Sequence, residues 1–146
     1  MNEEIVYLNG AFVAHGEARV SVEDRGLNFA DGVYDVVRIV GGRGFRLDEH
    51  VARVAAGLRA LEIPFDPVAA GLAEVLLETA RRNAVAEGTV YVQVTRGPAP
   101  RTHAFPDEPR PTVFAWARAF PGRTREERER GVACVTVPDT RWALCE

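Results

Sequence analysis

The sequence predicts an α+β domain, an antiparallel sheet packed with two helices. Three observations carry this prediction. Strand-like segments stand at both ends of the chain, two helical segments lie next to each other between them, and strands and helices do not alternate as a parallel sheet requires. At 146 residues, 47 % hydrophobic and 27 % charged, the chain is the size of one ordinary domain, with no internal repeat.

"IVYLNGAFVA" reads as two short strands joined by Asn9-Gly10, a preferred two-residue hairpin turn. "VSVEDRGLNFADG" reads as a loop with turn residues at both ends. "VYDVVRIV" is β-branched and puts Tyr34 and Val36 on one face, Asp35 and Val37 on the other, and "GGRGF" turns into another strand. Asp48 is the expected cap of the first helix, whose Val51, Val54, Leu58 and Leu61 recur at helical spacing. At about 100° per residue, His50 and Arg53 fall near one edge of that apolar stripe, one turn apart. Pro64 ends the helix. The second helix is expected to start on Asp66 as cap and Pro67, with Val68, Leu72, Val75, Leu76 and Thr79 on one face. "TVYVQVT" alternates as a strand, a proline-rich loop leads to the strand "TVFAWARAF", "RTREERER" is a solvated turn of helix or loop, and "VACVTV" reads as a last strand.

The formal net charge is -3, so bulk electrostatics give no argument for nucleic acid or a membrane surface. All 18 basic residues are arginine, and the chain offers no lysine amine as a nucleophile. Cys134 and Cys145 form no disulfide or metal spacing and are expected as buried, inert thiols. His15, His50 and His103 are too far apart in sequence for a zinc motif, and no metal is expected. No signal peptide or membrane-length apolar run is present in these residues, so a cytoplasmic setting is the expectation. Walker-type loops, dinucleotide fingerprints and nucleophile elbows are missing too.

Three places can carry chemistry. "VTRGPAPRTHAFP", Val94 to Pro106, is a stiffened loop leaving a strand, with Arg96, Arg101 and His103 as donors for a carboxylate or phosphate. From composition alone, a surface loop with solvated cations is the plainer reading. Tyr34 offers a phenol or serves as an amphipathic strand-edge residue. Arg53 is an anion ligand or a snorkelling surface arginine. Spacing alone leaves these alternatives open.

"EDRGLNFADGVYDVVRI", "FRLDEHVARV", "YVQVTRGPAPRTHAFP" and "DTRWALC" together resemble the fold-type IV, or class IV, pyridoxal-phosphate aminotransferases, in order and along the whole chain. Within that class the arginine-x-histidine loop with its "FP" is most similar to the D-amino-acid aminotransferases. The resemblance implies the small N-terminal α+β domain over residues 1–120, then a linker and the truncated start of the cofactor-binding domain over 121–146. It implies pyridoxal 5'-phosphate as cofactor, with its phosphate on Arg53. It implies a substrate-carboxylate trap of Tyr34, Arg101 and His103, with Tyr91 close by, acting on D-amino acids and 2-oxo acids. In the subgroup the loop reaches in from the partner subunit, so a homodimer is expected, with no nucleic-acid or membrane partner. The family glutamate after the tyrosine is Asp35 here; alternation turns it away from Tyr34, and no catalytic role is assigned to it. The family lysine that forms the Schiff base follows "RWxRCDI", and "RWALCE" stops two positions short of it, so that lysine is expected beyond Glu146. No residue of this chain is then the catalytic base, and the chain alone is expected to be inactive. A branched-chain aminotransferase, an aminodeoxychorismate lyase of the same class, and a non-catalytic domain used for binding or dimerisation are the other readings.

Overall fold

The computed structural model describes residues 4–120 and 122–139. Its centre is one six-stranded sheet: β1 (Ile5–Leu8), β2 (Ala11–Ala14), β3 (Gly32–Val40), β4 (Arg43–Gly44), β5 (Gly88–Thr95) and β6 (Thr112–Ala119). The order is β2-β1-β6-β5-β3-β4, antiparallel throughout. The first hairpin is the predicted one. Asn9 and Gly10 both take positive φ, as this turn demands, and Asn9 exchanges hydrogen bonds with the backbone of Val113 on β6.

Period-2 alternation gives the sheet two unlike faces. Val37 and Ile39, Val90, Val92 and Val94, and Val113, Ala115 and Ala117 lie under the helices α2 (Leu47–Ala60) and α3 (Leu72–Arg82). Val54, Leu58, Leu72, Leu76 and Ala80 close that core from above. The opposite face carries Tyr34, Val36, Tyr91, Phe114 and Trp116 and is left open.

Local departures from the sequence reading have local causes. "EDRGLNFADG" is no loop throughout: Asp24 accepts from Gly26 N and caps a five-residue helix, α1 (Arg25–Phe29), which ends on Ala30 in the left-handed region. Asp48 does not cap α2. Arg46 at φ 51 turns the chain, the helix begins at Leu47, and Asp48 sits in the first turn, where it favours the helix dipole. Asp66 caps only a turn, accepting from Val68 N and Ala69 N; Gly71 at φ 63 interrupts it, regular helix starts at Leu72, and Val68 stays exposed. The strand expected after "GGRGF" is reduced to the two residues of β4, because its only partner is the end of β3. "RTREERER" forms the exposed helix α4 (Arg125–Arg130), closed by a Thr124–Glu127 capping box. "VACVTV" pairs with no strand among the described residues, and its Val135 and Val137 are exposed, so it is irregular chain rather than a strand. For the same reason Cys134 is exposed, not buried. Cys145, Glu146 and the rest of "TRWALCE" (140–146) lie outside the described residues. The expectation of a Schiff-base lysine beyond Glu146 therefore falls outside them as well.

Candidate functional site

Tyr34 stands on the open face because its neighbours Asp35, Val37 and Ile39 go under α2 and α3; it is 68 % exposed. Register sets Val36 opposite Tyr91 and Tyr91 opposite Trp116, so aromatic rings line up across three strands. Tyr34 stacks on Tyr91 at 5.6 Å between centroids, and Tyr91 on Trp116 at 5.2 Å. The Tyr91 hydroxyl donates to Gln93 Oε1 at 2.8 Å. Burial, with a smaller contribution from Tyr34, pushes its pKa up, so the phenol is neutral at physiological pH.

Arg53 and His50 project from one edge of α2 towards β3, one helical turn apart. There they meet Asp35, the nearly inaccessible acid of "DGVYD". Asp35 Oδ2 accepts from Arg53 Nε at 2.8 Å, while Oδ1 accepts from Arg53 Nη2 and from Val36 N. His50 Nδ1 lies 3.0 Å from Oδ1 and, when protonated there, donates to it. Burial works against ionisation of Asp35, but the hydrogen bonds from Arg53 and then His50 outweigh it and hold the carboxyl below its ordinary range. The same bond raises the pKa of Arg53. Arg53 is thus fixed along one edge of its fork, while its side chain remains 68 % exposed. That is an exposed cation held in one orientation. Asp35 is a residue that sequence reasoning misses; the one-turn spacing of His50 and Arg53 opposite an inward-facing acid is the available signal.

The third element is the loop after β5, and the structure divides its cations. Arg96 is buried. Its guanidinium binds both oxygens of Asp31 and the carbonyls of Leu61 and Glu62 at the C-terminal end of α2, so it is a structural residue. Arg101 and His103 are exposed. Both lie against Phe29 of α1, the guanidinium 5.2 Å from its ring centroid and the imidazole 5.6 Å. Arg101 has no hydrogen bond or acidic partner among the described residues. The predicted substrate-binding residues therefore fall into two groups, Tyr34 with Tyr91 and Arg101 with His103, while Arg53 stands apart on Asp35. No ring contact or hydrogen bond links the groups within the described residues. Nor does any cluster of three His, Cys, Asp or Glu side chains among those residues offer a metal site.

The site is thus an antiparallel sheet with two helices on one face, an anchored arginine at its edge and an Arg-x-His loop beyond. The family model described as amino-transferase class IV matches residues 32–145, and the chain belongs to that family. It is 37 % identical over 142 residues to a D-alanine aminotransferase of Staphylococcus epidermidis, covering 97 % of this chain and 50 % of that protein. It therefore spans about half the length of the curated relatives it matches. Two solved structures are similar: a 4-amino-4-deoxychorismate lyase from Pseudomonas aeruginosa (TM-score 0.70, 31 % identical, covering 87 % of this chain and 44 % of that one), and a branched-chain amino acid aminotransferase of T.th. with pyridoxamine 5'-phosphate (TM-score 0.74, 28 % identical, 87 % and 43 %).

Proposed function

We propose that the protein is a pyridoxal-phosphate-dependent D-amino-acid aminotransferase, moving an amino group from a D-amino acid to a 2-oxo acid. The observation that carries this reading is the exposed pair Arg101 and His103, set on one ring beside each other with the guanidinium unclaimed by any acid among the described residues. The likeness to D-alanine aminotransferases supports it. Every α-amino acid brings the same carboxylate. A guanidinium fork, an imidazole and the Tyr34 phenol bind that group whatever the side chain, and fixing it orients the Cα–H.

The donor set suits a cofactor phosphate at Arg53, since Asp35 holds Nε and Nη2 and leaves Nη1 without a partner among the described residues. Bound pyridoxal phosphate supplies the electron sink for labilising the Cα–H. This chain has no lysine, so its own residues bind and orient rather than act as the amine base, whose expected place is beyond Glu146. Residues 1–120 are read as the N-terminal α+β domain and 121–146 as the linker and start of the cofactor-binding domain; every strand of the sheet ends by Ala119. A homodimer is proposed because the loop pair and the Tyr34–Tyr91 pair do not touch in one chain, and a second copy brings the missing half. A cytoplasmic setting is proposed from the exposed free thiol of Cys134, which suits a reducing compartment. No helix among the described residues is long and apolar enough to cross a membrane.

The test is amino transfer to a 2-oxo acid by the protein from its native source, with D-alanine, L-alanine and L-valine compared as donors. Turnover of D-alanine alone is expected. Preference for L-valine would replace this reading with a branched-chain one, release of pyruvate from an aminodeoxychorismate without amino transfer would replace it with a lyase, and no turnover of any donor would leave a binding or dimerisation domain.

A further inference from the structure

We infer that Arg25 is the positioning residue of the Arg101–His103 clamp, an inference that rests on the carboxylate reading of that loop. Arg25 is buried at the start of α1. Its Nε donates to Asp31 Oδ2 at 2.7 Å, which neutralises it. Its Nη1 then reaches across to the loop and donates to the carbonyls of Thr102, at 2.9 Å, and Ala104, at 3.2 Å. Thr102 directly follows Arg101 and the two carbonyls bracket His103, so a single guanidinium fixes one peptide plane inside the clamp and one just past it.

The rest of α1 serves the same end. Phe29 lies one helical turn after Arg25, and the Arg25 guanidinium sits 4.6 Å from its ring centroid. The same ring also meets Arg101 and His103. Beyond the clamp, Phe105 packs over Arg96 at 3.8 Å and Arg25 at 5.5 Å. At the loop base, Arg25 N donates to Gly97 O and Ala99 N to Glu23 O. The clamp's exposed side chains thus stand on the half-buried ring of Phe29, backed by the buried Arg25. Arg25 never needs to meet the substrate, since it acts by ordering the loop before binding and lowering the cost of closing on a carboxylate.

Arg25→Lys tests this. A lysine keeps the charge for Asp31 but cannot span Asp31 and two carbonyls with one planar fork. Trypsin cleavage after Arg101 in the full chain reports loop order, and the thermal midpoint reports the fold. Arg96→Lys serves as the control, because Arg96 binds Asp31 without touching the Thr102 or Ala104 carbonyls. Expected for Arg25→Lys is roughly tenfold faster cleavage after Arg101, not matched by Arg96→Lys at an equal loss of thermal midpoint. In the transaminating protein, KM should rise roughly tenfold for D-alanine and D-phenylalanine alike, with kcat changed less than twofold. Unchanged cleavage in Arg25→Lys, or equal acceleration in both variants, would overturn the inference. Faster cleavage with KM unmoved would leave the ordering role standing and overturn the carboxylate reading of the loop.

Discussion

Arg96 and Arg101 leave the same strand end five residues apart, yet the base of the loop and its tip are physically different regions. At the base, Arg96 is 2 % exposed, locked to Asp31 and to two carbonyls just past the end of α2, and Gly97 takes φ +90 where an added Cβ would collide with the Arg110 carbonyl. At the tip, Arg101 and His103 rest on a ring and face solvent. A cation becomes available to a ligand when the protein fixes its backbone and leaves its charge unpaired. It becomes part of the scaffold when buried acceptors take its whole guanidinium, as at Arg96, rather than one edge of it, as Asp35 does at Arg53.

The sharpest way to break that contrast is at the base. Asp31→Ala leaves Arg25 and Arg96 buried without their shared carboxylate, and the expected loss is about 3–5 kcal/mol in denaturant unfolding. A loss under about 1 kcal/mol would mean the base is no more structural than the tip. Acid probes the same acid differently. Burial resists ionisation of Asp31, but Arg96 and then Arg25 overcome this and hold its pKa below 3.8, as Arg53 and His50 do for Asp35. Unfolding restores the ordinary value, so the unfolded chain binds protons first. The contribution of these carboxylates is full above about pH 4 and drains away as pH falls through their folded pKa values. Unfolding midpoints should hold steady from neutrality to about pH 5 and fall below about pH 4.

The tip and the helix edge are expected to respond in binding instead. Arg53→Ala should weaken pyridoxal phosphate at least tenfold by fluorescence titration of the protein from its native source, about 1.5–3 kcal/mol for charged hydrogen bonds. Arg101→Ala should raise KM for D-alanine and D-phenylalanine by a similar factor, because the carboxylate is common to both, and should move stability by under about 0.5 kcal/mol. A KM loss that depended on the donor side chain would show that Arg101 does not read the carboxylate.

Much of this contrast was not legible in the sequence. The sheet and both long helices were, because Val90, Val92 and Val94 or Val51, Val54 and Leu58 repeat at a period that only one structure satisfies. The Arg101 and His103 loop was legible as a motif. What separates Arg96 from Arg101 was not: composition gives both the same proline- and glycine-rich surroundings, and the deciding acid lies 65 residues away. Helix α1 is not legible because five residues are too few to show a period, so nothing in the sequence singles out Arg25. Asp35 could be turned inward by alternation, but its partners depend on where α2 lands across the sheet edge.

The smallest expected effect separates side chain from backbone within the tip itself. Arg25 holds the loop through the carbonyls of Thr102 and Ala104, groups that every residue carries. The Thr102 hydroxyl makes one long, exposed bond of 3.4 Å, to Ala104 O. Thr102→Ala should therefore leave stability within about 0.5 kcal/mol, the rate of cleavage after Arg101 unchanged and KM for D-alanine unchanged. If Thr102→Ala instead loosened the loop as much as Arg25→Lys, the tip would owe its order to its own side chains. The base would then be a neighbour of the clamp rather than its support.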